Sequence, residues 1–227
     1  MGNPRPAPER RGGSGGVEPS YLENTDWGSM KAKWNCVYCG GDATTRDHVP
    51  PKSIFFGTRK NLVTVPSCEQ CNNSRSELDQ SFRDFLSLAT RSEASNPDLW
   101  QKTLRGLARQ PSKLQNLLRS AVELSDGDFA VELEAKAQIQ MFESIARGLY
   151  FHHFGEVLDE NISIDCGIHD PSKDISQLIT LRDHLIFQEI SDGEFQYCYG
   201  RANDREHASI WLFLFYGKFF TYSFTNT

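Results

Sequence analysis

The stretch CVYCGGDATTRDHVPPKSIF, residues 36–55, decides how the chain is read. Cys36 and Cys39 stand two residues apart, the spacing at which one tight turn offers two thiolates to a single ion. Asp47 and His48 follow as neighbours, and Pro50 and Pro51 stiffen the exit from them. A lone pair of this kind could simply hold a loop. The motif CEQCN at residues 68–72 repeats the spacing with Cys68 and Cys71. Two such pairs fit a tetrahedral four-thiolate zinc site, whereas four unligated core cysteines leave the doubled spacing unexplained. With Cys36, Cys39, Cys68 and Cys71 filling every position, the zinc is structural and has no open place for a substrate. Any chemistry then falls to the residues between and just after the pairs.

Composition narrows the classes. The chain has 227 residues and a formal charge of −6, enough length for a sizeable core and too acidic for a general polyanion binder. Locally the balance reverses: residues 31–91 hold nine Lys/Arg against six Asp/Glu. No run reaches the roughly 18 apolar residues of a membrane span, so no membrane association is expected. No apolar signal segment opens the chain, and the expected location is cytoplasmic. In a reducing compartment clustered cysteines point to metal rather than disulfides. Cys166 and Cys198, in strand-like patterns, read as buried free thiols.

Residues 1–29, rich in Gly, Pro, Ser and charge, read as a flexible leader. Residues 30–92 read as a compact metal module closed by a helix starting near Cys71 or Asn72. Residues 93–227 read as helices followed by strands. Leu99, Trp100, Leu104, Leu107, Leu114, Leu117 and Leu118 carry a helical pattern that Pro111 divides or kinks. Leu133, Ala137, Met141, Ile145 and Leu149 recur every four residues and stop at Gly155. From Ile162 onward, alternating apolar residues with turns at Asp192-Gly193 and Gly217 predict an antiparallel sheet of four or five strands.

In order, Cys-x-x-Cys, Asp-His-x-x-Pro, Asn61-Leu62-Val63, Cys-x-x-Cys-Asn and the basic Arg75 resemble the HNH endonuclease family in its four-cysteine zinc variant. The match covers residues 34–80, about a quarter of the chain. The resemblance implies a ββα-metal, treble-clef-like, zinc-stabilised nuclease module; with the helices and C-terminal antiparallel sheet that the patterning predicts, the expected fold class is α+β. The resemblance also implies that Asp47 and Asn72 hold a catalytic Mg²⁺ or Mn²⁺, hard ions that take oxygen ligands. His48 is then the general base, Asn61 pins the loop that orients it, and Arg75 and Lys52 contact phosphate. The implied activity is hydrolysis of DNA, one strand per site, leaving a 5′-phosphate and a 3′-hydroxyl, in a setting such as restriction or phage defence. Residues 93–227 would serve substrate binding, a homodimer or a protein partner.

Plainer readings stand beside these. Asp47-His48 could be a turn with a solvated charge, Asn61 a turn residue and Asn72 a helix cap. Lys102, Arg105, Arg109, Lys113 and Arg119 form either a solvated helix face or a DNA-tracking surface. His152 and His153 read as surface or partner packing. Two alternatives to a DNA nuclease follow: a zinc-stabilised nucleic-acid or protein binding module with a vestigial site, and an RNA-directed HNH nuclease.

Overall fold

A computed structural model describes residues 34–90, 96–123, 129–130, 135–168 and 176–226. The expected leader, residues 1–29, lies outside the described residues. The chain is a mixed α+β protein with a C-terminal antiparallel sheet and a four-cysteine cluster near its start. None of its described helices is long and apolar enough to cross a membrane.

Strands β1 (Thr45–Val49) and β2 (Val63–Ser67) pair antiparallel, with Asp47 opposite Val65 and His48 opposite Thr64. Val49, Val63 and Val65 are buried, so the pair has one face in the core. Helix α1 (Glu69–Ser74) follows at once and α2 (Ser76–Ala89) after it, separated by Arg75 alone. The helix thus begins earlier than the expected Cys71 or Asn72. The cause is Cys68, whose Sγ accepts from the Cys71 amide at 3.3 Å and caps α1.

Helix α3 (Pro97–Ala108) opens on Asn96, whose side chain accepts from the Leu99 amide at 3.1 Å. Helix α4 (Pro111–Ser120) begins at Pro111, which therefore divides the pattern rather than kinking it. A two-stranded pair, β3 (Val122–Glu123) with β4 (Phe129–Ala130), precedes α5 (Ala135–Phe154). The sheet comprises β5 (Ser163–Ile168), β6 (Ile186–Ile190), β7 (Phe195–Arg201), β8 (Ser209–Phe215) and β9 (Phe219–Asn226). Its order is β5-β9-β8-β7-β6, with every pairing antiparallel. A short helix α6 (Ser176–Arg182) lies between β5 and β6.

One apolar cluster runs through both the cysteine-bearing segment and the sheet. It joins Val37, Val49, Ile54, Phe55 and Phe82 to Met141, Ile145 and Leu149 of α5 and to Phe195, Trp211, Phe213 and Phe215 of the sheet. Helix α5 is the shared element, touching β1, β2, α2, β5 and β9. A Cβ added at Gly148 would lie 2.6 Å from Val49 Cγ2, so the missing side chain lets α5 press onto β1 beside His48.

The sheet also grips the loop between β1 and β2. The Glu194 carboxylate accepts from the amides of Phe56 at 3.2 Å and Gly57 at 3.1 Å. The Arg59 amide donates to Ser191 Oγ at 3.2 Å, the Ser191 amide to the Lys60 carbonyl at 3.0 Å, and Thr58 Oγ1 to Asp192 at 2.6 Å. Tyr216 donates to the Ile54 carbonyl. The turn between β6 and β7 therefore holds residues 56–60, and Tyr216, after β8, holds Ile54.

Two stability predictions follow from this packing. Alanine normally favours a helix over glycine by about 1 kcal/mol. Gly148→Ala should nevertheless destabilise the protein by about 1–3 kcal/mol through overpacking on Val49, measured by urea denaturation. No loss would place α5 farther from β1 than described. The second concerns His153, whose Nε2 lies 2.9 Å from the Tyr197 hydroxyl and whose ring stacks on Tyr199 at 3.9 Å. Burial, and then the neighbouring His152, hold its pKa down at about 3, against an ordinary 6.5. Between those two values the unfolded chain takes up a proton that the folded chain refuses. Stability should therefore fall as pH drops through that window, at up to ~1.4 kcal/mol per pH unit for one proton, and be indifferent to this group above it. Burial lowers His152 as well, so it acts in the same direction. His153→Gln should lose less stability than wild type between pH 7 and pH 4.5. Equal losses would show that His153 is not the sensitive group.

Candidate metal centre and the adjacent polar site

The four sulfurs of Cys36, Cys39, Cys68 and Cys71 all lie within 4.8 Å of one another, with Cys39 and Cys68 at 3.8 Å. Four thiolates at about 2.3 Å from one tetrahedral zinc would be spaced by ~3.8 Å. Cys36 and Cys39 flank a tight turn in which the Gly40 amide donates to the Cys36 carbonyl at 2.9 Å. The second pair sits on the first turn of α1. Burial pushes the Cys36 thiol up, but backbone hydrogen bonds from Cys68, Tyr38 and Cys39 outweigh it and bring the pKa to about 7. Burial and the crowding of the other thiols raise Cys71 well above its ordinary value. Four such groups can all ionise together only around a cation, so the donor set fits a metal such as zinc.

The second polar site is built where α1 returns to β1. Asn72 lies inside α1 rather than capping it, and its Nδ2 donates to Thr45 Oγ1 at 3.2 Å and to the Arg46 carbonyl at 3.3 Å. This ties Asn72 to the residue next to Asp47. It leaves Oδ1, the atom a hard cation takes, outside those bonds. Asp47 accepts from the Tyr38 hydroxyl at 2.9 Å and pairs with Arg75 Nε at 3.2 Å; both charged side chains are 13% exposed. The Arg75 guanidinium also stacks over the Tyr38 ring, 3.8 Å from its centroid. Burial raises Tyr38 well above its ordinary pKa and keeps it a hydrogen-bond donor to Asp47.

His48, next along β1, is half-buried. Burial, and then the charge of Lys52, lower its pKa, while Asp47 opposes them. The neutral imidazole is thereby favoured. Lys52 itself is exposed at the start of a short 3-10 helix, Lys52–Ile54.

The structure thus ties Asn72 of α1 to Thr45 and Arg46, next to Asp47 and His48 on β1. Arg75, expected to contact phosphate, here pairs through Nε with Asp47 and stacks on Tyr38. Asn61 is exposed, and no side-chain hydrogen bond fixes it among the described residues. Its contribution here is a φ of +56° at the end of the clamped loop, a conformation asparagine tolerates better than most residues. Of the predicted basic helix face, Lys113 turns onto Asp84 at 2.9 Å and Arg119 is exposed on α4, while Lys102, Arg105 and Arg109 gather elsewhere.

Two residues escaped the sequence reading. Tyr38 lies inside the first cysteine pair, where only the metal spacing drew attention. Asp79 sits one helical turn beyond Arg75, and the i to i+4 spacing is the signal that could have found it. Burial, and then the Asp47 charge, push the Asp79 carboxyl up to about 6, while Arg75 opposes them.

Comparison of the chain with protein-family models, with curated proteins and with solved structures returned no match.

The metal centre carries a direct test. Elemental analysis of protein purified without chelator should give one zinc per chain. Cys68→Ser should abolish stoichiometric zinc and cost the segment its fold together, since metal binding in such sites is folding energy on the order of 10 kcal/mol. Proteolysis between residues 36 and 75 should become rapid. A variant that keeps its fold with no zinc would rule out the four-thiolate site.

Proposed function

We propose that this chain is a metal-dependent HNH endonuclease that hydrolyses DNA. The observation that carries the reading is the return of Asn72 from α1 to β1 beside Asp47 and His48, within a strand–strand–helix unit stapled by four cysteines. That order is the one expected of a ββα-metal module. Asp47 and the Oδ1 of Asn72 would hold a Mg²⁺ or Mn²⁺ ion, which supplies charge stabilisation on the scissile phosphate and the departing oxygen.

The chain's own residues supply the remaining chemistry. His48, favoured in its neutral form, accepts a proton from the attacking water as its oxygen bonds to phosphorus. The bond from phosphorus to the 3′ oxygen breaks, leaving a 5′-phosphate and a 3′-hydroxyl. Val49, buried under α5, fixes the strand on which His48 stands. One such site cuts one strand.

A second reading has its own observation. Arg75 and Tyr38 close over the Asp47 carboxylate, an arrangement that suits a zinc-stabilised binding module whose catalytic site is vestigial. Plasmid nicking separates the two. With zinc bound, wild type should convert supercoiled DNA to the nicked form in Mg²⁺ or Mn²⁺, and His48→Ala should be slower by about 10²–10⁴-fold. Wild type inert on DNA but active on structured RNA would assign RNA as substrate. Inactivity on both would favour the binding module.

A further inference from the structure

Helices α2 and α3 enclose a cleft of about 440 Å³ lined by Gln80, Arg83, Lys102, Arg105 and Arg109, with Gly106 at its wall. Four of these residues are cations, and among the described residues no acid lines the cleft. Arg83 is the built part of the site. Its side chain is only 10% exposed, its Nη2 donates to Asp84 at 2.8 Å, and its buried Nε has no hydrogen-bond partner. Asp84 is shared with Lys113, so it offsets the charge of Arg83 only in part.

Arg83 Nη2 lies against α3, 3.4 Å from where a Cβ on Gly106 would stand, an ordinary contact distance. Lys102 is held over the Phe56 ring, 5.3 Å from its centroid, on the clamped loop that links β1 to β2. Burial, and then the charges of Arg83, Arg59 and Arg105, lower its pKa, a sign of how closely the cations are gathered. The cleft therefore adjoins the loop of the candidate catalytic module and shares helix α2 with it.

We propose that this cleft binds a backbone phosphate of the nucleic-acid strand being cut, away from the scissile bond. The inference rests on the nuclease reading given above. Arg75, beside Asp47, and Arg83 are eight residues apart across the start of α2. That corresponds to about 12 Å along a helix, or roughly three to four nucleotide steps of 3.4 Å in duplex DNA. A guanidinium fork and two or three further cations suit the repeated, two-oxygen charge of a phosphodiester better than a single carboxylate. The volume admits a phosphate with its flanking sugars. Lys113 and Arg119, predicted on the same face from sequence, are not part of the site.

The test measures binding without cleavage, using zinc-loaded full-length His48→Ala protein and a fluorescein-labelled 20-base-pair duplex at several salt concentrations. Adding Lys102→Ala/Arg109→Ala should weaken binding about tenfold or more at 0.1 M salt and make the salt dependence shallower by about two. Arg119→Ala/Arg205→Ala removes the same charge elsewhere on the exposed surface and should change both far less. Equal effects from the two pairs, or none from the first, would overturn the proposal. So would stabilisation by millimolar inorganic phosphate with no DNA binding, which would assign the cleft to a free anion. Wild type that fails to nick any nucleic acid, alongside pocket-dependent binding, would sink the nuclease reading while leaving the phosphate contact in place.

Discussion

Helix α5 lies directly on β1, and the rest of the molecule is arranged around that contact. Gly148 offers no side chain at the crossing, so Val49 packs against bare helix backbone. The same helix lays Met141, Phe142, Ile145 and Leu149 into the shared core, and Phe151 meets Trp34 edge-on at 5.7 Å near the first cysteine pair. A strand pair of five residues each has little surface of its own to bury and would be marginal alone. Its position is set by a 20-residue helix that packs on the sheet as well. The cysteine cluster fixes the near end of β1 and β2, and α5 fixes their buried face.

The C-terminal sheet acts at the opposite end of the same unit. Residues 54–60 form no regular structure beyond a short turn, and Arg59 and Asn61 both take positive φ. Such backbone conformations cost of order 1 kcal/mol each and persist where the surroundings determine them. Here the determining groups are Glu194, Ser191 and Asp192, on the turn between β6 and β7, with Tyr216 after β8. The distant half of the chain thus shapes the connection between the two strands that carry the candidate site. A scaffold role of this kind accounts for residues 186–226 without requiring a separate ligand.

Much of this was legible in the sequence because it depends on short-range pattern. The doubled Cys-x-x-Cys spacing located the metal cluster, and the four-residue repeat from Met141 to Leu149 located α5. Alternation and turn residues located the sheet, whose strand number came out at five. The start of α1 lies earlier than the pattern predicts because the Cys68 sulfur caps the helix, a use that helix-capping preferences do not encode. The Asp47–Arg75–Tyr38 contact was not legible, since it depends on the angle at which α1 leaves β2. Arg83 escaped for a similar reason: a charged residue among Phe82, Phe85 and Leu86 reads as a solvated position, and its burial depends on another helix, α3, packing against α2. The clamp at Glu194 joins residues 138 positions apart, and no local pattern announces such a pairing.

The charge around Asp47 bears on which functional reading is the stronger. A structural ion pair needs one acid and one base, and Asp47 with Arg75 already satisfies that count. Asp79 adds a second carboxyl close enough to feel both, and burial with the Asp47 charge resists its ionisation. Retaining a half-buried acid beside an already neutral pair is unfavourable for stability alone, because the extra carboxyl has no cation of its own among the described residues. A surface that exchanges a guanidinium for a divalent ion has a use for the surplus negative charge, whereas a vestigial site has none. The Asn72 side chain, on α1, is hydrogen-bonded to Thr45 and Arg46 of the strand that carries His48. On that physical ground the surplus acid weighs toward a cation-using site.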